Sequence, residues 1–349
     1  MGLSEGFNGF SDHHRCQNIT EVDPDSQPIT SAIMFVAGVV GDTVALVLMK
    51  VRRKKSTPSL YQVLVTTLLM TDLLGSLSVS PVVLSAYARR KTLLGMSSNR
   101  ELCSYFGFSM TFLSLSTLAI LCVTALERYF SLAQPYFYER HLSIFRGYIT
   151  IALIYVCSVL FCVAPLLISA GQYVQYCPGT WCFLKMNVEK RVYVVIYASL
   201  MLIMTSSTVV CNISVIYLLV MMYRRRQARR TGASPQSFRT SLSMTEEVEH
   251  LLPLVIITVV FIFCTFPLIL RVYIHITTTT KVNDAEDLKA LRFLSCHSII
   301  NPWVFIILRP SVIKVIWRKM RPKKSMEAWG ADRSGQAKQT DRRPPGAGQ

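Results

Sequence analysis

One stretch of the chain shows most directly how the protein is built. Residues 104–130 read SYFGFSMTFLSLSTLAILCVTALERYF, and their only charged side chains, Glu127 and Arg128, lie near one end. A helix of this length is about 40 Å long at about 1.5 Å per residue, more than the roughly 30 Å hydrocarbon core of a bilayer. The stretch therefore predicts a membrane-spanning helix.

Six other stretches share this character, so we predict an all-α membrane protein, a seven-transmembrane helix bundle. The chain has 349 residues, of which 51% are hydrophobic and only 16% are charged. Its apolar residues come in blocks of roughly twenty, which favours one integral domain at 30–309 over several soluble domains. The predicted spans are Thr30–Met49, Leu60–Tyr87, Ser104–Phe130, Gly147–Ser169, Val192–Tyr223, Val248–His275 and Glu286–Leu308.

The distribution of charge predicts the orientation of the spans. The net charge is +17, and its clusters at 50–55 and 224–230 follow spans one and five, which indicates cytoplasmic loops rather than a nucleic-acid surface. The N-terminal segment 1–29 has one basic residue against five acids and a glycosylation sequon at Asn18. We therefore expect a plasma-membrane protein with an extracellular N-terminus and a cytoplasmic C-terminus. The basic loop at 89–91 departs from this rule.

The residues after span seven predict two further segments. Apolar and basic residues alternate at helical spacing over 310–321, which predicts a short amphipathic eighth helix on the inner leaflet. Residues 322–349 are polar and contain Gly and Pro, which is typical of a disordered tail.

Four cysteines fall outside the membrane on this topology. They are Cys16, Cys103, Cys177 and Cys182, and in an oxidising compartment they allow three pairings. A bridge from Cys103 to the second extracellular loop would hold that loop over the bundle, but the residues alone do not choose between Cys177 and Cys182.

Charged groups inside the spans are candidates for function, because an unpaired charge in hydrocarbon costs several kcal/mol. Four stand out in the sequence: Asp42, Asp72, Arg128 and Arg292. Asp42 and Asp72, with Ser298 and Asn301, predict a polar cluster that could hold water, a proton or a sodium ion, or act only as a structural network. The histidines His275 and His297 stand alone and are interpreted as core or interface residues.

Arg292 lies near the outer third of span seven. Its planar guanidinium can pair bidentately with an anionic group of a ligand. The alternative is that its long side chain reaches to the outer surface without binding anything.

Several motifs together resemble the rhodopsin-like G-protein-coupled receptors. They are Glu127-Arg128-Tyr129, Asp72 in span two, Cys264 with Pro267 in span six, Asn301-Pro302 in span seven, and Cys103. The resemblance implies a switch in which Arg128, paired with Glu127 at rest, is released to contact a G protein.

The loop 176–183, YCPGTWCF, with LRFLS at 291–295, SPVVL at 80–84 and PYFY at 135–138, narrows the resemblance to the prostanoid receptors, most closely the Gs-coupled prostaglandin E receptors of subtype two. This resemblance implies that Arg292, Tyr87 and Thr180 bind a prostanoid carboxylate. It also implies a Cys103–Cys182 bridge, which leaves Cys177 to pair with Cys16 as a hypothesis. The implied partners are prostaglandin E2, Gs, arrestin, receptor kinases and membrane lipids, and the rival ligands are prostaglandin D2 and prostacyclin.

The remaining residues fit a lipid ligand better than the other functions of membrane proteins. Met110, Phe112 and Trp181 offer an apolar lining, and Ser295 belongs to the span-seven motif. No lysine occurs over 291–308 to bind retinal, which disfavours a photosensor. Paired repeats or catalytic clusters of a transporter or enzyme are also missing from the sequence, so no cofactor is expected.

Three departures from the family pattern concern activation. Thr265 replaces the usual tryptophan of span six, and Phe305 replaces a tyrosine of span seven. Prostanoid receptors commonly carry asparagine at the position of Asp42 and aspartate at that of Asn301. We therefore predict that these two positions share one cluster, whose acid has moved from one helix to the other.

Overall fold

All seven predicted spans are long apolar helices in the computed structural model of the protein. The structure describes residues 19–22, 28–53, 59–97, 99–168, 173–176, 179–185, 192–229, 237–277 and 284–308, without the side chains of 52–53, 226–229, 237–251, 276–277 and 284–285. The predicted amphipathic helix at 310–321, the tail at 322–349, and Cys16, Asn18 and Cys177 lie outside the described residues.

Eight described helices follow one another along the chain. They are α1 (Ile29–Arg53), α2 (Leu60–Arg89), α3 (Glu101–Ala133), α4 (Pro135–His141), α5 (Ile144–Ile168), α6 (Val192–Arg229), α7 (Ser237–Thr277) and α8 (Asp284–Ile307). All except the seven-residue α4 are long and apolar enough to cross a membrane. Their bounds agree with the predicted spans to within a few residues, except that α6 and α7 continue further into the loop that joins them.

The surface of the bundle is apolar where the helices face outward. Leu160 and Leu167 of α5 are 65% and 81% exposed, for example. Side chains of this kind would be unfavourable in water but are matched by lipid tails, which agrees with a membrane location.

A β-hairpin covers one end of the bundle, which we call the hairpin end. Its strands β1 (Tyr173–Tyr176) and β2 (Trp181–Leu184) pair antiparallel with Gln175 opposite Cys182. The turn between them contains Gly179 at a φ of 99°, which favours glycine. The sequence did not predict the two strands. The Cys103–Cys182 disulfide that the resemblance implied is present and ties the hairpin to α3.

The hairpin, the loop 90–97 and the segment 19–22 form one hydrogen-bonded layer. Gln175 Nε2 and Thr92 Oγ1 donate to the carbonyl of Ile19 at 3.1 and 2.7 Å, and Leu93 N donates to the Gly179 carbonyl at 3.0 Å. Because these bonds link three separate parts of the chain, the layer closes the hairpin end above the helices.

Candidate functional site

A cavity lies between α1, α2, α3, α8 and strand β2. Its apolar wall includes Val83, Met110, Trp181 and Leu294. Seven hydroxyl side chains also line it, and these are Ser31, Thr71, Ser76, Ser80, Ser114, Ser295 and Ser298. Such a lining suits a ligand that is largely apolar and carries several oxygen atoms.

Three of the six predicted ligand-binding residues line this cavity. They are Met110, Trp181 and Ser295, and the Ser295 Oγ lies 4.0 Å from the Met110 sulfur. The Trp181 ring packs edge-on against Phe106 with centroids 5.7 Å apart. Phe112, which the sequence also suggested as lining, does not line the cavity, because it packs between Phe108 and Tyr155 with centroids 6.0 and 6.1 Å away.

The other three predicted residues, Arg292, Tyr87 and Thr180, do not line the cavity itself. Arg292 precedes the lining residue Ser295 by three positions and Tyr87 follows the lining residue Val83 by four. Each therefore shares a helix face with that residue about one turn nearer the hairpin end. Thr180 directly precedes Trp181 and is fully buried. The three residues lie on the elements that continue the cavity toward the hairpin.

Two polar groups on the hairpin lack partners among the described residues. The Thr180 hydroxyl and the Trp181 Nε1 are both buried, and neither forms a hydrogen bond with a described residue. Buried polar groups nearly always have a partner in native proteins, so both groups are candidates to bind a ligand or water.

Arg292 and Arg271 differ sharply in their surroundings. Arg292 is half-buried and forms no hydrogen bond or ion pair with any other described residue. Arg271 of α7, by contrast, donates from Nε to Asp287 of α8 at 2.6 Å, and the Asp287 side chain is only 1% exposed. Arg292 is thus the guanidinium whose charge is left uncompensated at this end of α8.

Arg271 and Asp287 were not predicted from the sequence. The two histidines lie between helices, as interpreted, but neither stands alone. His275 Nε2 lies 3.1 Å from Asp287 Oδ2. His297 lines the cavity, with its Nε2 3.1 Å from Ser298 Oγ and its ring centroid 4.7 Å from that of Phe261. Spacing along one helix gave no signal of the contacts to Asp287 and Phe261, because each of them joins α7 to α8. Within its own helix, His297 also contacts Ser298 and the Leu294 carbonyl.

Two members of the predicted polar cluster, Asp72 and Asn301, are hydrogen-bonded in the middle of the bundle. Thr117 Oγ1 donates to Asp72 Oδ1 at 3.3 Å, and Asn301 Nδ2 donates to Asp72 Oδ2 at 2.9 Å. Asp42 is fully buried, and neither of its oxygens has a described partner, nor does Oδ1 of Asn301. These open oxygens are the ligand type of a hard cation such as sodium, which stays a prediction.

At the end opposite the hairpin, which we call the switch end, Glu127 and Arg128 form a two-pronged ion pair. Arg128 donates from Nε and Nη2 to the two carboxylate oxygens at 2.6 and 2.7 Å. Tyr138 of α4 also donates to Glu127 at 2.8 Å, a restraint that the sequence reading did not anticipate. Tyr129, the third residue of the motif, packs edge-on against Phe130 with centroids 5.5 Å apart.

The helices that carry the remaining motifs contain internal prolines. Pro267 lies inside α7 and Pro302 inside α8, where a missing N–H favours a bend. Thr265, at the position of the usual tryptophan, is 1% exposed, and its hydroxyl has no described partner.

Comparison with known proteins identifies the family. The model of the 7 transmembrane receptor (rhodopsin family) matches residues 42–305. The chain is 43% identical over 319 residues to the human prostaglandin E2 receptor EP2 subtype, covering 86% of this chain and 88% of that receptor. The chain belongs to the prostanoid receptors of the rhodopsin family. The mouse prostaglandin D2 receptor is 38% identical over 335 residues to this prostanoid receptor, covering 89% and 94% of the two chains.

A solved structure shares the fold of this prostanoid receptor at a greater distance. Squid rhodopsin aligns with a TM-score of 0.71 at 14% identity, covering 96% of this chain and 91% of that one. As a member of this family, the protein is a multi-pass membrane receptor that binds a lipid and signals through a G protein. It is not an enzyme.

Proposed function

We propose that this prostanoid receptor binds prostaglandin E2, couples to the stimulatory G protein Gs and raises cyclic AMP. The observation that carries the proposal is the guanidinium of Arg292, which no described residue pairs with, one helical turn above a cavity lined by seven hydroxyl side chains. The human and mouse EP2 receptors, named for prostaglandin E2, are 43% and 42% identical to this chain.

The carboxylate of the ligand is placed at Arg292. A guanidinium offers a planar fork of donors that matches both oxygens of a carboxylate, and exclusion of water strengthens the pair. Tyr87 and Thr180 supply hydroxyl donors from α2 and the hairpin. The buried Thr180 hydroxyl, which lacks a described partner, would gain one from the ligand.

The hydroxyl-lined cavity takes the rest of the molecule. A prostaglandin E carries a ring ketone and two hydroxyls on an otherwise apolar skeleton. Hydroxyl side chains such as Ser80 and Ser295 can donate to the ketone or exchange bonds with the hydroxyls. Met110 and Trp181 pack against the hydrocarbon.

In the membrane, the hairpin end faces outside and the N-terminus is extracellular. The basic clusters at 50–55 and 224–230 support this orientation. The switch end then meets Gs inside the cell when Arg128 leaves Glu127, and arrestin and receptor kinases act on the loops of the same side.

Cyclic AMP measurement in cells that express the chain tests the proposal. We expect prostaglandin E2 to act at lower concentration than prostaglandin D2 or a prostacyclin analogue. Arg292→Ala should raise the required concentration by at least tenfold at equal surface expression. The absence of a response to all three ligands would refute the prostanoid function, whereas a normal response of Arg292→Ala would refute only the anchor.

A receptor for prostaglandin D2 is the second candidate. The mouse prostaglandin D2 receptor is 38% identical to this chain, and the two prostaglandins differ in which ring positions carry the ketone and the hydroxyl. The same experiment separates them, because a preference for prostaglandin D2 would favour this second candidate.

A further inference from the structure

Tyr61, at the switch end of α2, lies against the guanidinium of Arg128. The Arg128 Cζ is 4.5 Å from the centroid of the Tyr61 ring, and Tyr61 is 4% exposed. Glu127 meanwhile holds Nε and Nη2 of the same guanidinium. A cation is attracted to the electron-rich face of an aromatic ring, and more strongly where water is excluded. Arg128 is therefore held in two ways, by a carboxylate and by a ring.

The Tyr61 ring also belongs to the apolar cluster that meets the inner part of α8. Ala45, Val65 and Leu69 are the other buried members of this cluster, and Phe305 and Ile306 of α8 pack against it. Phe305 stands where rhodopsin-like receptors usually carry a tyrosine, so it has no hydroxyl with which to reach Arg128. The packing of the cluster around Tyr61 therefore offers a route by which a movement of α8 can reach α2.

We propose that Tyr61 is a positioning residue for the Arg128 switch. Its ring holds the guanidinium at rest and couples that position to the packing of Phe305 on α8. This inference rests on the switch in the proposed function, and it does not depend on which lipid the receptor binds.

The consequence for activation follows from close packing. A shift of α8 moves Phe305, and a dense cluster cannot absorb that movement without displacing the buried ring. Once the ring leaves the guanidinium, Arg128 loses the attraction to the ring and is released more easily from Glu127.

A series of fluorinated phenylalanines at position 61 tests the proposal. Each added fluorine weakens the attraction of a cation to the ring, while the volume of the side chain changes little. With Tyr61→Phe as reference, we expect one, two and three fluorines to raise ligand-free signalling stepwise, to several-fold in total. Electron paramagnetic resonance without ligand or G protein should show a parallel growth in the population with long distances between spin labels on α4 and the switch end of α7.

Two further variants separate this role from simple packing. Tyr61→Leu keeps an apolar side chain but removes the ring face, and it should also populate the longer distance. Val63→Ala opens space in a separate buried cluster, formed by Leu60, Val63, Leu64 and Ile151, and should lower thermal stability without changing the distance distribution. A flat fluorine series with an unchanged distance distribution would overturn the proposal. Because the distance measurement needs neither agonist nor G protein, it gives its answer even if prostaglandin E2 or Gs proves wrong.

Discussion

Asp287 on α8 accepts a hydrogen bond from Arg271 on α7 at 2.6 Å, with His275 at 3.1 Å from its other oxygen. This network neutralises Arg271 of α7 and leaves Arg292 of α8 without a described partner. An arginine with a buried carboxylate beside it has little to gain from a ligand acid, whereas an uncompensated one gains a full charge pair. The contrast between the two arginines selects Arg292 as the anchor.

Removal of the buried Asp287 charge should destabilise the receptor. Asp287→Asn leaves the Arg271 charge without its carboxylate in a largely buried site, which costs roughly 3 kcal/mol. Thermal unfolding in detergent measures the change. Lys289→Ala is the matched control, because its ion pair with Glu286 is between side chains that are 63% and 46% exposed, and exposed pairs contribute little to stability. Equal effects of the two variants would show that the α7–α8 network contributes no more than a surface pair.

Loss of the Tyr138 hydroxyl should raise signalling without ligand. The hydroxyl donates to Glu127 at 2.8 Å, and a hydrogen bond to a charged group contributes about 1.5 kcal/mol or more. Tyr138→Phe should therefore increase basal cyclic AMP several-fold at equal surface expression. Tyr148→Phe, an exposed tyrosine of α5, is the control. Basal activity of Tyr138→Phe no higher than that of the control would mean that α4 does not restrain the switch.

Swapping the acid of Asp42 on α1 and the amide of Asn301 on α8 together should preserve expression and signalling. Asn301 donates to Asp72 at 2.9 Å, so Asn301→Asp alone replaces a donor with a second acid beside Asp72 and should lower surface expression. Addition of Asp42→Asn restores the number of acids and should recover expression and signalling. The close approach of α1 to α8, where a Cβ on Gly41 would lie 3.1 Å from Pro302 Cγ, supports a shared cluster. A double variant as defective as Asn301→Asp would refute it.

The proposed orientation predicts a glycan on Asn18. The sequon Asn18-Ile19-Thr20 can be modified only if the N-terminus enters the secretory lumen. Treatment with an N-glycosidase should lower the apparent mass of the wild-type receptor and leave the apparent mass of Asn18→Gln unchanged. A wild-type receptor that carries no glycan, with an N-terminal epitope that antibodies reach only after permeabilisation, would reverse the assigned topology.

The helices could be predicted from the sequence, because each span must be long enough and apolar enough to cross the hydrocarbon core of the bilayer. The cluster around Asp72 was also predictable, since buried polar groups in spans must meet one another. The hairpin was not predicted, because strands of four residues carry little periodic signal. The sequence Pro178-Gly179 is nevertheless typical of a turn, and the structure has a turn at Gly179.

Contacts between distant parts of the chain were the main features that the sequence did not reveal. Arg271 and Asp287 each lie near the end of a span, where a charge is ordinary and predicts no partner. Tyr61 looks like any aromatic residue of an apolar helix, and only the structure places its ring 4.5 Å from Arg128. Which side chains pair across two helices depends on the rotation of each helix about its axis and on its depth in the membrane. Hydropathy determines neither.

Binding of a prostaglandin and its neutral ester tests the central claim most directly. Affinities of prostaglandin E2 and its methyl ester should be measured on membranes with wild-type receptor, Arg292→Ala and Arg292→Lys. We expect wild type to prefer the acid by at least tenfold, Arg292→Lys to keep part of that preference, and Arg292→Ala to bind both compounds equally. A preference for the acid that survives in Arg292→Ala would contradict the assignment of Arg292 as the carboxylate anchor.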